Sequence, residues 1–272
     1  MPIKEAPVTT APILTNKKYD QPSVFDPANL LREARRQKGV PAGEVPEICV
    51  LDPDGDLFRY LRNSGTGTLN PYWACYHTEL YDFHNNGLHI GVLGCAVGAS
   101  FAVLVAEELF ASGCRLLISI TSAGQIVRVR KPPYFILIDR ALRDEGTSYH
   151  YLPPAQYSHI QPDLLARLSS AFTDNLVVEQ GGVWTTDAPF RETEEAIALA
   201  RDENLFAVEM EAAALYAFAE ACNKSIVCFA HVTNQMGTIL NDFEKGESDG
   251  NAAVLQLVSA VARKWKVTNC EK

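Results

Sequence analysis

Glu209 and Glu211 flank Met210 in AVEMEAAALYAF, residues 207–218, where a short apolar strand pattern, LFAV at 205–208, gives way to an alanine-rich helix. A carboxylate at such a junction has two uses. It can serve the helix, whose free N–H groups and positive end favour negative charge by roughly 0.3–1 kcal/mol. It can also be a ligand: residues two apart share a side where the chain is extended, which would aim both carboxylates into whatever lies beyond the strand's end. Other segments have comparable chemistry. GCAVGAS, 94–100, sets Gly94 and Gly98 between a strand pattern and a helix pattern. Glycines there let backbone N–H groups approach an anion or a sugar hydroxyl, and they equally suit a close strand-to-helix turn. SITSAGQI, 119–126, repeats the arrangement, with Ser119, Ser122 and Gly124 at the carboxyl end of the next strand, where α/β sheets hold ligands. RDEGTSYHYLPP, 143–154, carries His150 between two tyrosines, either a ligand or a surface histidine satisfied by its neighbours. WTTDAPFRET, 184–193, offers Phe190 and Arg191, an aromatic and a guanidinium that could face a flat polar ring or lie at a solvated helix start.

The elements that must position these residues are written in the hydrophobic periodicity. Apolar strand-like runs (ICVL at 48–51, HIGVLG at 89–94, RLLISIT at 115–121, YFILID at 134–139, SIVCFAHVT at 225–233) alternate with helical patterns. Phe101, Leu104, Val105 and Leu109 fall at helical spacing, as do Leu164, Leu165 and Leu168, and Val254, Leu257 and Val258. The alternation predicts an α/β fold with a sheet covered on both faces. Residues 1–45, rich in Pro, Thr and charge with one helical stretch at PANLLREARRQKG, read as an arm laid on a core. The remainder, 46–272, reads as a single catalytic domain without repeats or low-complexity linkers.

With 272 residues, of which 47% are hydrophobic, the chain can bury a substantial core. A net charge of −9 and no Lys/Arg run longer than two argue against a nucleic-acid polymer or an anionic membrane as partner, and for a small molecule. The uncharged run between His89 and Glu107 is broken by Gly91, Gly94, Gly98 and Ser100, so it reads as strand, loop and helix rather than a membrane span. The first twenty residues have no secretory pattern. Seven cysteines (49, 75, 95, 114, 222, 228, 270) lack a CxxC pair and read as reduced, mostly buried thiols in a cytoplasmic protein, with no metal site.

In order and spacing, GCAVGASFAVLVAEEL, ISITSAGQI, RDEGTSYHYLPP, GGVWTTDAPFRET and AVEMEAAALYAFA resemble the nucleoside phosphorylase family that includes uridine phosphorylase, over about residues 47–265. The resemblance implies a three-layer α/β/α sandwich around a mixed, partly barrel-like sheet, assembled as homodimers or trimers of dimers. It implies cleavage of the N-ribosidic bond of a small nucleoside without metal or organic cofactor. Glu211 matches the glutamate that binds the ribose hydroxyl pair and Met210 the methionine packed on the sugar, with Glu209 behind them. The chemistry is apt, because a carboxylate accepts two adjacent hydroxyls by charge-assisted hydrogen bonds and its charge favours an oxocarbenium-like sugar.

Against that family the sequence departs where phosphate should bind. Of the family's three arginines, one aligns with Ser119, one, normally supplied by a neighbouring subunit, with Thr78, and one falls in LDPDGDL, where Asp52, Asp54 and Asp56 would repel an anion. Arg59, Arg62, His77 or Arg191 would have to compensate. Hydrolytic members use an acid to activate water instead, a role that suits Asp56, or Asp54 if the register slips; as an ordinary turn, DPDGD needs no role at all. Purine-cleaving relatives protonate the base from an aspartate that aligns here with Asn234. An amide cannot donate that proton, which favours a pyrimidine or another base that leaves as an anion, met by Arg191. Hydrolysis, phosphorolysis and non-catalytic nucleoside binding are the three readings this leaves.

Overall fold

The computed structural model describes residues 10–172, 176–236, 240 and 242–269. Among these residues ten strands form one sheet: β1 Ile48–Asp52, β2 Thr68–Leu69, β3 Leu80–Asn85, β4 Leu88–Gly94, β5 Leu116–Gln125, β6 Tyr134–Asp144, β7 Tyr157–His159, β8 Val178–Thr186, β9 Leu205–Glu209 and β10 Ser225–Asn234. The helices are α1 Pro27–Lys38, α2 Asp56–Ser64, α3 Ala99–Ala111, α4 Pro162–Leu168, α5 Glu194–Asp202, α6 Ala212–Ala221 and α7 Asn251–Asn269.

The apolar runs expected as strands are the central ones. β4, β1, β5 and β10 lie side by side and parallel, and β1 is buried along its whole length, as a strand covered on both faces must be. β3 and then β2 extend the β4 edge antiparallel. On the other side β10 pairs antiparallel with β6, β6 runs parallel to β8, β8 parallel to β9, and β9 returns antiparallel to β5. That return closes a ring of five strands within a mixed sheet, the partly barrel-like form expected from the sequence. The ring closes only at Gly124 and Gln125 of β5, opposite Val208 and Ala207, while β10 bulges at Val232/Asn234 beside Gly124. Bulges re-aim strand ends, and here the carboxyl ends of β5, β9 and β10 converge on one spot.

Helices flank this sheet in two groups. α6 is buried at every position from Ala212 to Ala219, which its small residues allow, and packs on α3. The Tyr216 hydroxyl donates to Ile138 O at 2.6 Å and accepts from Cys228 N–H at 3.0 Å, pinning α6 to β6 and β10. α7 packs against α2 and α4. α1 starts at Asp26, whose carboxylate accepts from Ala28 and Asn29 N–H, stops at Gly39 in the left-handed conformation (φ 66°), and rests on α3 with Leu31 and Ala34 buried. Cys49, Cys75, Cys114 and Cys228 are buried and Cys95 and Cys222 exposed; Cys270 lies outside the described residues. Among the described residues no helix is long and apolar enough to cross a membrane.

Candidate active site

The paired glutamates divide the two uses a carboxylate can have at a strand-to-helix junction. Glu209 ends β9 level with Thr185 of β8. Its Oε1 accepts from the Thr185 hydroxyl, and its Oε2 accepts from the N–H groups of Glu211 at 2.7 Å and Ala212 at 2.8 Å. It therefore caps α6. Glu211, at φ −130° and ψ −37°, has already left the extended conformation, so the two carboxylates do not share a strand face as an extended chain would require. Its Oε1 accepts from the Gly98 N–H, at the start of α3, at 2.6 Å. Its Oε2 is buried and has no hydrogen-bond partner among the described residues. Burial raises the Glu211 pKa, and the charges of Glu209 and Asp54 add to the rise, while the Gly98 N–H and the Thr121 hydroxyl oppose it.

The DPDGD turn separates its three aspartates by role. Asp52 is buried, accepting from Gly55 N–H at 3.1 Å and Phe58 N–H at 2.9 Å, and burial pushes its pKa up to about 7. Gly55, at φ 80°, lets the chain reverse into α2. Asp54 reaches across to β5, where its Oδ2 accepts from the Ser122 N–H at 2.7 Å. Asp56 is ion-paired instead, with Arg59 at 3.1 Å and with Lys245. Arg59 also donates to the Asp54 carbonyl at 2.7 Å and to Cys95 Sγ at 3.4 Å, and Arg62 lies over the Phe58 ring.

From Ser122 a cleft of about 1170 Å³ opens between the ends of β5, β9 and β10. Ser122, Gly124, Phe190, Glu209, Met210 and Asn234 all line it, with Met236 and Phe243. A Cβ at Gly124 would stand 2.9 Å from Met236 Cγ and 3.3 Å from Asn234 Oδ1, so the glycine is what lets the end of β10 come so near. Asn234 holds that end together, accepting from Met236 N–H at 2.8 Å and donating to the Thr233 hydroxyl at 3.2 Å. Phe190 is 99% exposed on the rim, an aromatic face held out beside the cleft. Among the described residues no group of three or more His, Cys, Asp or Glu is arranged to hold a metal ion.

Residues 47–263 match the phosphorylase superfamily. The chain belongs to that superfamily. It is 27% identical to a guanosine phosphorylase from Halorubrum lacusprofundi over 183 residues, 66% of this chain and 75% of that protein. It is 29% identical to a DeoD-type purine nucleoside phosphorylase from Bacillus cereus over 185 residues, 65% of this chain and 77% of that one. In three dimensions it resembles uridine phosphorylase from Vibrio fischeri, with a TM-score of 0.67 at 18% identity over 80% of this chain and 93% of that one. As a member of the phosphorylase superfamily, it is an enzyme that cleaves the N-glycosidic bond of a nucleoside.

Several residues expected at this enzyme's site stand elsewhere in the chain. A Cβ on Gly94 would stand 2.5 Å from Phe58 Cβ, so that glycine makes room for α2, and the N–H of its loop that reaches Glu211 belongs to Gly98. Ser119 is buried within β5 between Leu51 and Cys228, short of the cleft. His150 does not line the cleft: its Nδ1 is 2.8 Å from Lys17 Nζ, and it faces a separate cavity beside residues 18–28. Thr78 accepts from the Trp73 indole N–H, and exposed His77 sits near the Phe101 ring, so both are outside the cleft of their own chain. Arg191 is exposed beside Phe190, and its backbone N–H donates to Ala188 O at 2.8 Å. Two groups without a local sequence signal do approach the site: Lys245, on Asp56, and His231, buried on β10.

Proposed function

We propose that this enzyme hydrolyses its nucleoside, with Asp54 as the base that activates water and Glu211 as the ribose clamp. The observation that carries the reading is the Asp54 carboxylate on the Ser122 N–H, within electrostatic reach of Glu211. A backbone N–H at a strand end is the group an incoming anion would use, and here a carboxylate of the chain itself uses it. A phosphate dianion would have to enter beside two carboxylates, with Arg59 and Lys245 committed to Asp56. Water carries no such penalty.

In this reading Glu211 gives up its proton as the nucleoside binds; its Oε2 then accepts the ribose hydroxyls, and its negative charge offsets the cationic sugar that forms as the glycosidic bond breaks. Asp54 takes a proton from water as its oxygen bonds to the anomeric carbon. Met210 packs on the sugar, and Phe190 and Asn234 meet the base, which leaves as an anion because the Asn234 amide cannot protonate it. A pyrimidine or a base of similar acidity fits best. Phosphorolysis is the second reading, favoured by the names of the guanosine and purine nucleoside phosphorylases it resembles; it requires Arg59 or Lys245 to leave Asp56 for the incoming anion. We also infer a homo-oligomer, because Val97, Leu104 and Tyr76 are large apolar side chains left exposed. The test of the base is Asp54→Asn, expected to lose at least 100-fold in kcat while still binding nucleoside in calorimetry. Wild-type turnover in that variant would remove Asp54 from the mechanism, and binding without turnover in the wild type would make the chain a nucleoside-binding protein.

A further inference from the structure

Beside Asp54 lies a small polar cavity that shares Ser122 with the large cleft. It measures about 20 Å³, room for one water molecule, and Asp54, Asp56, Ser122, His231 and Asp249 line it. His231 is its unusual member. The ring is only 6% exposed, stacks on Phe135 with centroids 4.5 Å apart, and is so close to Gly250 that a Cβ there would stand 2.6 Å from its Cε1. Beside it Asn251, which lines the same cavity, has its Oδ1 buried without a hydrogen-bond partner among the described residues. Buried polar groups are almost always satisfied, by protein or by ordered water, and this cavity is polar space that Asn251 and His231 both line.

We propose that the cavity binds a water molecule linking Asp54 to His231, and that this pair carries the proton Asp54 receives during hydrolysis out to solvent by way of Asp249. The inference rests on the hydrolytic reading. In each turnover the water oxygen bonds to the anomeric carbon and the carbon–nitrogen bond breaks, its electron pair leaving with the base. The water's proton goes to Asp54, and the departing base anion takes a proton from solvent. Asp54 must then shed its proton before it can act again. The cavity water accepts that proton while donating another to His231, which passes it to Asp249, an exposed carboxylate on the same cavity. Burial, then the charge of Lys245, lowers the His231 pKa to about 4, against the opposing charges of Asp54 and Asp56. The ring therefore rests neutral and gives up an acquired proton readily.

The relay separates the first turnover from those that follow. With the four common ribonucleosides in phosphate-free buffer, the wild type is first checked for free ribose. In His231→Gln, rapid quench should show the first turnover within about threefold of wild type, followed by a steady-state rate at least tenfold lower, a burst equal to the enzyme present. In His231→Ala, added imidazole should restore the steady-state rate in proportion to its concentration. If first and later turnovers slow together, or neither slows, or imidazole has no effect, the ring only fills space and the relay is wrong. A wild type that releases no ribose overturns the hydrolytic reading at the first step, and the relay with it.

Discussion

At Glu211 one carboxylate oxygen is held by the Gly98 N–H and the other is buried and unpaired. A polar oxygen kept in that state is costly unless something arrives to use it. Removing it should therefore cost function far more than fold: Glu211→Ala is expected to lower kcat/KM by 100-fold or more, since one charged group at a developing cation supplies roughly 3 kcal/mol. A 2′-deoxynucleoside should lose more than a 5′-deoxynucleoside in the wild type, and that difference should vanish in the variant. Steady-state assays on both substrates check it. Residue identity alone did not say which aspartate does what. Gly55 at φ 80° turns Asp52 inward onto backbone amides, Asp54 across to Ser122 and Asp56 out to Arg59 and Lys245, a division set by three-dimensional turn geometry that no spacing rule contains.

Gly94 shows what the elements demand. β4 and α2 approach so closely there that Gly94→Ala would drive a methyl into Phe58, and overpacking of this kind costs about 1–3 kcal/mol. Thermal unfolding should register that loss, whereas the corresponding change at Gly98, where nothing lies within 4 Å of a Cβ, is expected to act through its φ of 92° instead. The continuous apolar strands β1, β4, β5, β6 and β10 were legible because burial on both faces leaves no alternation to confuse. β3 and β8 were not. LYDFHN buries only Leu80 and Phe83, and β8 contains Gly181 and Gly182, whose lack of a side chain makes sense only once Phe206 and Arg140 are seen to cross them. The same holds for the site: Met210, Ser122 and Phe190 belong to contiguous motifs, while His231 and Lys245 reach it from segments whose sequence carries no hint of a ligand.

Across the whole molecule, buried acids set how stability varies with pH. Asp52, Glu209 and Glu211 all have pKa values raised by burial. Between the ordinary carboxylate value of roughly 4 and about 7 for Asp52, the folded chain holds a proton that the unfolded chain has released. Their contribution to stability is thus full below that window and is lost as pH rises through it, by about 1.4 kcal/mol per group per pH unit. Calorimetry should show the melting temperature falling from pH 5 to pH 8, and Asp52→Asn should flatten that slope; an unchanged slope would mean that Asp52 is ionised in the folded state. In the proposed mechanism the Asp54 carboxylate occupies the Ser122 N–H that an anionic co-substrate would use, so the most direct measurement is the identity of the sugar product. With a cleavable nucleoside in phosphate-free buffer, the account predicts free base and free ribose, with less than about a twofold change in rate when millimolar phosphate is added. Release that depends strictly on phosphate and yields ribose 1-phosphate would contradict it.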